Sequence, residues 1–143
     1  MHRHSIALLG ECTANIDLSL STIGGLLPDT KNRSLRRSLQ EYAEDQQLLR
    51  SHACKLLQQY GGFAKAPRPL QKGMIKLKNS TRMALRSDDS TIAYLVAEGC
   101  DLGVKDLSRS LNRHHSADSE ALRLSQELIR CQEGLSARLR PFL

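Results

Sequence analysis

From Leu35 to Tyr60 the core-type positions step by four and three in strict alternation: Leu35, Leu39, Tyr42, Gln46, Leu49, Ala53, Leu56, Tyr60. Such steps return to one face of a helix with 3.6 residues per turn. A stripe this long and regular is buried only against other helices, packed at the shallow angles of a bundle. The rest of the chain repeats the pattern. Leu9, Cys12, Ile16, Leu20, Ile23 and Leu27 mark one face near the start, and Leu124, Leu128, Cys131, Leu135, Leu139 and Phe142 mark one near the end. Between them, Ile92, Leu95, Val96, Gly99, Leu102, Gly103 and Leu107 mark a third. No proline falls between Pro69 and Pro141, which disfavours a sandwich with frequent turns. With no Trp, three Tyr and two Phe, the core must be aliphatic. The 143 residues, 40% hydrophobic and 25% charged, suffice for one domain with a filled core.

Breaks in the pattern divide the chain into five expected helices, about 4–26, 33–60, 70–86, 91–112 and 117–140, in one domain over 1–143. Gly24 and Gly25 loosen the end of the first, Pro28-Asp29 breaks it, and Asp29 or Asn32 is placed to cap the second. Leu48 and Leu57 are expected to widen the second helix's apolar face. Gly61-Gly62 stops that helix. The stretch from Gly61 to Pro69 reads as a linker, with Phe63 expected to pin it to the bundle. Ser87-Asp88-Asp89-Ser90 caps the fourth helix, and Arg113-His114-His115-Ser116 is a tight turn before the fifth. The third helix then carries the chain back along the bundle. The architecture expected is all-α: an up-down four-helix bundle whose two antiparallel hairpins are joined by a helical crossover. No run approaches the ~18 apolar residues of a membrane span. The short apolar stretch after Met1-His2-Arg3-His4-Ser5 is interrupted by Glu11, so no signal peptide is expected and a cytoplasmic location is.

Charge is unevenly placed. The net charge is +6, yet Lys65, Arg68, Lys72, Lys76, Lys78, Arg82 and Arg86 contribute +7 with no acid among them, leaving −1 elsewhere. On a helical projection Leu70, Met74, Leu77, Thr81, Ala84 and Leu85 share an arc of ~100° and the cations Lys72, Lys76, Lys78, Arg82 and Arg86 an opposite arc of ~160°. Such a basic amphipathic helix suits nucleic-acid phosphates, an anionic membrane surface or an acidic protein. It lacks the aromatic side chains that stack bases or anchor in lipid, and a solubilising face balanced by Glu41, Glu44 and Asp45 is the plainer reading. Lys31, Arg33, Arg36 and Arg37 open the second helix, against its dipole. Cys12, Cys54, Cys100 and Cys131 form no Cys-x-x-Cys pair, and with no secretory signal they read as reduced, small, buried hydrophobes.

Three stretches resemble the uncharacterised bacterial ferritin-like proteins. Leu48 to Gly62 (LLRSHACKLLQQYGG) is similar to their second-helix ending, Ile92 to Leu111 (IAYLVAEGCDLGVKDLSRSL) to their fourth helix, and Leu135 to Leu143 to their C-terminal end. The resemblance implies a ferritin-like fold but no reaction. Ferritin-like di-iron proteins need a Glu from each of two helices and a Glu-x-x-His from each of the other two, because residues three apart share a face and converge on one ion pair. Here Met1, Leu49, Leu111 and Asn112 stand three before His4, His52, His114 and His115. Gln46 is followed by Leu49 and Gln132 by Leu135, so an amide and an aliphatic side chain stand where a carboxylate and an imidazole would be needed. Gln46 and Gln132 are read as polar core residues that fix helix register. No conventional metal site and no cofactor are expected.

Other chemistry finds little support. Gly24-Gly25 and Gly61-Gly62 end helices and cradle no phosphate. His52 and Cys54 lie on different helix faces. His2 with His4, and His114 with His115, read as solvated surface pairs, the first able to take adventitious nickel or copper. Glu98 and Asp101 flank Gly99 and read as surface. Gly99 and Gly103, four apart, are expected to let a neighbouring helix approach closely. The expected function is that of a non-catalytic helical protein acting as a homodimer or through a protein partner, with Gly99, Gly103, Ile75 and Met83 as contact candidates. The alternatives are polyanion binding through 65–86, and an unusual metal site.

Overall fold

The computed structural model describes residues 2–65 and 88–143. The expected helix 70–86, with Arg68, Lys72, Ile75, Lys76, Lys78, Arg82, Met83 and Arg86, lies outside the described residues. Within them the chain forms four long helices and no strand: α1 Arg3–Leu26, α2 Arg33–Gln59, α3 Asp89–Arg113 and α4 Ser119–Leu139. Short 3-10 turns, Leu27–Asp29 and Arg140–Phe142, follow α1 and α4, each with a proline in its first positions where no amide is needed.

Local chemistry sets the ends. Asn32 caps α2 by accepting from the Leu35 amide at 3.0 Å, and Asp88 caps α3 by accepting from the Thr91 amide at 2.8 Å. That cap starts α3 at Asp89, two residues before the expected start, whereas Ala117 and Asp118 stay in the turn and α4 starts two residues after it. Gly61 has a φ of 77°, and its amide bonds Gln58 while the Gly62 amide bonds Leu57 at 2.8 Å. This left-handed closure consumes two carbonyls that the end of α2 would otherwise leave unpaired.

The helices pack as two antiparallel hairpins, α1 with α2 and α3 with α4, and α1 also lies against α3 and α2 against α4. Contacts between the helices give the directions. The start of α1 meets the end of α3 through His4 and His114, and the end of α1 meets the start of α3, where Asp89 takes the Lys31 and Asn32 amides at 2.9 and 3.0 Å. Tyr60, at the end of α2, stacks on His2. The chain therefore leaves α2 at one end of the bundle and enters α3 at the other.

The core is aliphatic towards both ends. At one end Leu8, Leu9, Ile16, Leu56, Leu57, Leu124 and Leu128 cluster, and at the other Ile23, Leu26, Leu35, Leu39, Ile92, Leu135 and Leu139. Three expectations fail. Leu48 does not widen the face of α2 but is 71% exposed, among Glu44, Asp45 and His52, because the stripe turns it away from the neighbouring helices. Phe63 is 89% exposed and pins nothing to the described residues. The linker is held instead by Lys65, whose amide donates to Thr13 Oγ1 at 3.1 Å and whose ammonium pairs with Glu11 at 2.9 Å. In α3 the buried line runs through Ile92, Val96, Cys100, Gly103 and Leu107, which leaves Leu102 and Gly99 beside it.

Candidate functional site

Two groupings of polar side chains stand out, one in the middle of the bundle and one at an end. The central group is a neutral layer to which all four helices contribute. Gln46 and Gln132 are 0% and 1% exposed. Gln132 Nε2 donates to Asn15 Oδ1, and Asn15 Nδ2 donates to the Gly103 carbonyl at 3.4 Å. Gln46 Nε2 reaches Cys131 Sγ at 3.5 Å, and the Tyr42 hydroxyl donates to Ser19 at 3.4 Å. The acceptor oxygens of both glutamines lack a partner. A buried amide oxygen without a donor costs about 1–3 kcal/mol, so this layer comes at some expense in stability. Burial pushes the Tyr42 hydroxyl and the Cys100 thiol upward, Cys100 to about 12, so both stay neutral at physiological pH.

Gly103 owes its identity to this layer. A Cβ there would collide with Gln132 Oε1 and stand 3.2 Å from Gln132 Cδ and 3.3 Å from Asn15 Nδ2. Gly99 differs, because a Cβ there would meet nothing within 4 Å. The expected close helix approach across both glycines is thus replaced by a side-chain contact at Gly103 and open space at Gly99. Asn15 went unnoticed in the sequence, although Leu8, Cys12, Asn15 and Ser19 step by four, three and four and so place it on a core face.

The layer does not fit a di-iron centre. Its donors are neutral amides, a phenol and thiols held protonated, where iron or manganese takes carboxylates and imidazoles. Among the described residues no group of three or more His, Cys, Asp and Glu is placed to hold a metal ion. Glu98 and Asp101 are exposed, and Asp101 accepts from Ser136 at 3.1 Å.

The end group joins histidines that the sequence places far apart. His4 Nδ1 and His114 Nδ1 lie 2.9 Å from each other. His2 Nδ1 lies 2.8 Å from Asp118 Oδ2, and the Asp118 amide donates to Ser5 Oγ at 2.8 Å. The His2 hydrogen bond holds the Asp118 carboxyl below its ordinary range. Neither His2 with His4 nor His114 with His115 acts as a pair along the chain. The pairing runs across the bundle, because α1 begins where α3 ends, and no local spacing announces it.

The basic residues divide likewise. Lys65 is bound to Glu11. At the start of α2, Arg36 donates to the Thr30 carbonyl through two nitrogens, and Arg37 lies 3.8 Å from Glu41, which also faces Arg138 at 3.8 Å. Arg36 thereby ties down the α1–α2 turn, and its cost against the helix dipole is offset by that bond.

No protein-family model matches the chain, and no curated protein matches it. Among solved structures it is similar to a conserved hypothetical protein from Mycobacterium tuberculosis, with a TM-score of 0.74 at 10% sequence identity, covering 100% of this chain and 99% of that one. The likeness concerns the all-helical fold over its full length. None of the described helices is long and apolar enough to cross a membrane.

Proposed function

We propose that the chain is a ferritin-like helical scaffold that acts by binding a second copy or a protein partner, without a metal-centred reaction. The observation that carries this reading is the neutral amide layer: where a ferritin-like enzyme would gather carboxylates and imidazoles, this chain buries Asn15, Gln46 and Gln132. Leu48, Tyr94 and Leu102 are exposed on α2 and α3, and such side chains gain from being covered. The test is metal analysis of untagged protein together with its mass in solution by light scattering. A metal-poor protein with a defined dimer mass is expected, and stoichiometric iron, manganese or zinc would overturn the reading.

A second reading rests on the placement of charge. Residues 65–86 carry +7 and the rest of the chain −1. A polyanion-binding segment predicts retention on heparin that falls steeply with salt, since each phosphate contact releases counterions. Elution at low salt would remove it.

A further inference from the structure

The pairing of His4 with His114 depends on protons in a way that its neighbours do not. Two imidazole nitrogens 2.9 Å apart form an N–H···N bond only while one ring offers a lone pair. When both rings are cationic both nitrogens are donors, and two like charges face each other at a half-buried site. The surroundings add to the imbalance. Lys65 from the linker and Arg113 from α3 are positive, and the acid Glu11 from α1, which acts on His114, is itself engaged by Lys65. Two residues before His4, His2 bonds Asp118 and stacks on Tyr60, and a charged His2 strengthens its bond to the carboxylate. Burial first, then His4 and Arg113, hold His114 below its ordinary value.

We propose that the His4–His114 pair is a proton-released clasp, which fastens the first turns of α1 to the α3–α4 turn at neutral pH and opens when both rings become cationic. The sign of its pH dependence is fixed: a histidine that binds protons more weakly folded than unfolded stabilises the fold fully above its ordinary value, and that contribution is lost as pH falls. Opening frees the Asp118 amide from Ser5 and the first turns of α1 from the bundle end.

Amide exchange followed by NMR from about pH 8 to about pH 5 tests this across the range in which histidine titrates. The reporters are the Asp118 amide, held by Ser5, and the Ile6 amide, the first bonded within α1. After correction for intrinsic exchange, their protection falls several-fold on acidification, because the folded state binds protons at this site more weakly than the unfolded chain. His4→Gln gives His114 a neutral partner that can accept from it at every pH and diminishes the fall, leaving only the part that burial and Arg113 impose on His114. His4→Lys, a permanent cation, lowers protection already at the upper pH, and should it not fold, the Gln variant decides. His2→Gln leaves the fall in place. Flat protection in the unaltered protein, or a full response in His4→Gln, overturns the proposal.

Discussion

At the scale of single residues, the amide layer makes opposite demands on chemically similar positions. Gly103→Ala must push Gln132 off its bond with Asn15 and is expected to lower stability by about 1–3 kcal/mol, the usual cost of overpacking. Gly99→Ala, with open space beyond it, is expected to raise stability by about 0.5–1 kcal/mol through helix propensity alone. Urea denaturation of the two variants checks both. The glutamines differ in the same way. Gln46 spends its amide on a weak sulfur contact, so Gln46→Met removes an unpaired oxygen at nearly constant shape and raises the melting temperature. Gln132→Met strands Asn15 and costs about 1–3 kcal/mol. The thiols offer a chemical reading of the same interior. Burial pushes Cys12 up to about 12, and both Cys12 and Cys100 are buried, whereas Cys54 and Cys131 are half-buried. Alkylation at neutral pH, located by mass spectrometry, is expected to modify Cys54 and Cys131 well before Cys12 and Cys100.

At the scale of elements, acid acts on the helix starts. Asp88, lowered by the Thr91 amide, and Asp118, lowered first by His2, both bind protons more weakly folded than unfolded. Their contribution is complete above the ordinary carboxylate value near 4 and is lost as pH falls through the lowered folded one. Thermal melts are expected to show a further drop below about pH 4 that Asp88→Ala diminishes, distinct from any change near the histidine range. The helices themselves were legible because the stripe from Leu35 to Tyr60 and that from Leu124 to Leu139 have a period that only burial on one helix face explains. Gln46 and Gln132 were legible as core residues for the same reason. The clasp was not, since His4 and His114 lie 110 residues apart and meet only through topology. Leu48 and Phe63 misled because an apolar residue beside a stripe or a glycine pair is as compatible with solvent as with the core.

At the scale of the whole molecule, the polar contacts sort by hairpin. Among the described residues, those within the first hairpin include Arg50 on Asp17 at 2.6 Å and Tyr42 on Ser19 at 3.4 Å. A larger set of described contacts, His4 with His114, Ser5 with Asp118, Asn15 with Gln132, Gln46 with Cys131, Glu41 with Arg138 and the Lys31 and Asn32 amides with Asp89, runs from one hairpin to the other. Each hairpin thus carries the recognition code for its counterpart, while hydrophobic burial supplies most of the energy. Residues 2–65 and 88–143, expressed as separate chains, are expected to reassociate into a helical complex, checked by circular dichroism and co-elution. Independent elution of two unstructured fragments would show that the covalent link is needed. The entry of α3 at the opposite end from the exit of α2 has a corollary for assembly. A chain whose halves recognise each other across a long connection can satisfy the same contacts with the half of a neighbour, so that two copies trading hairpins would keep every bond described above and form a dimer with no new surface.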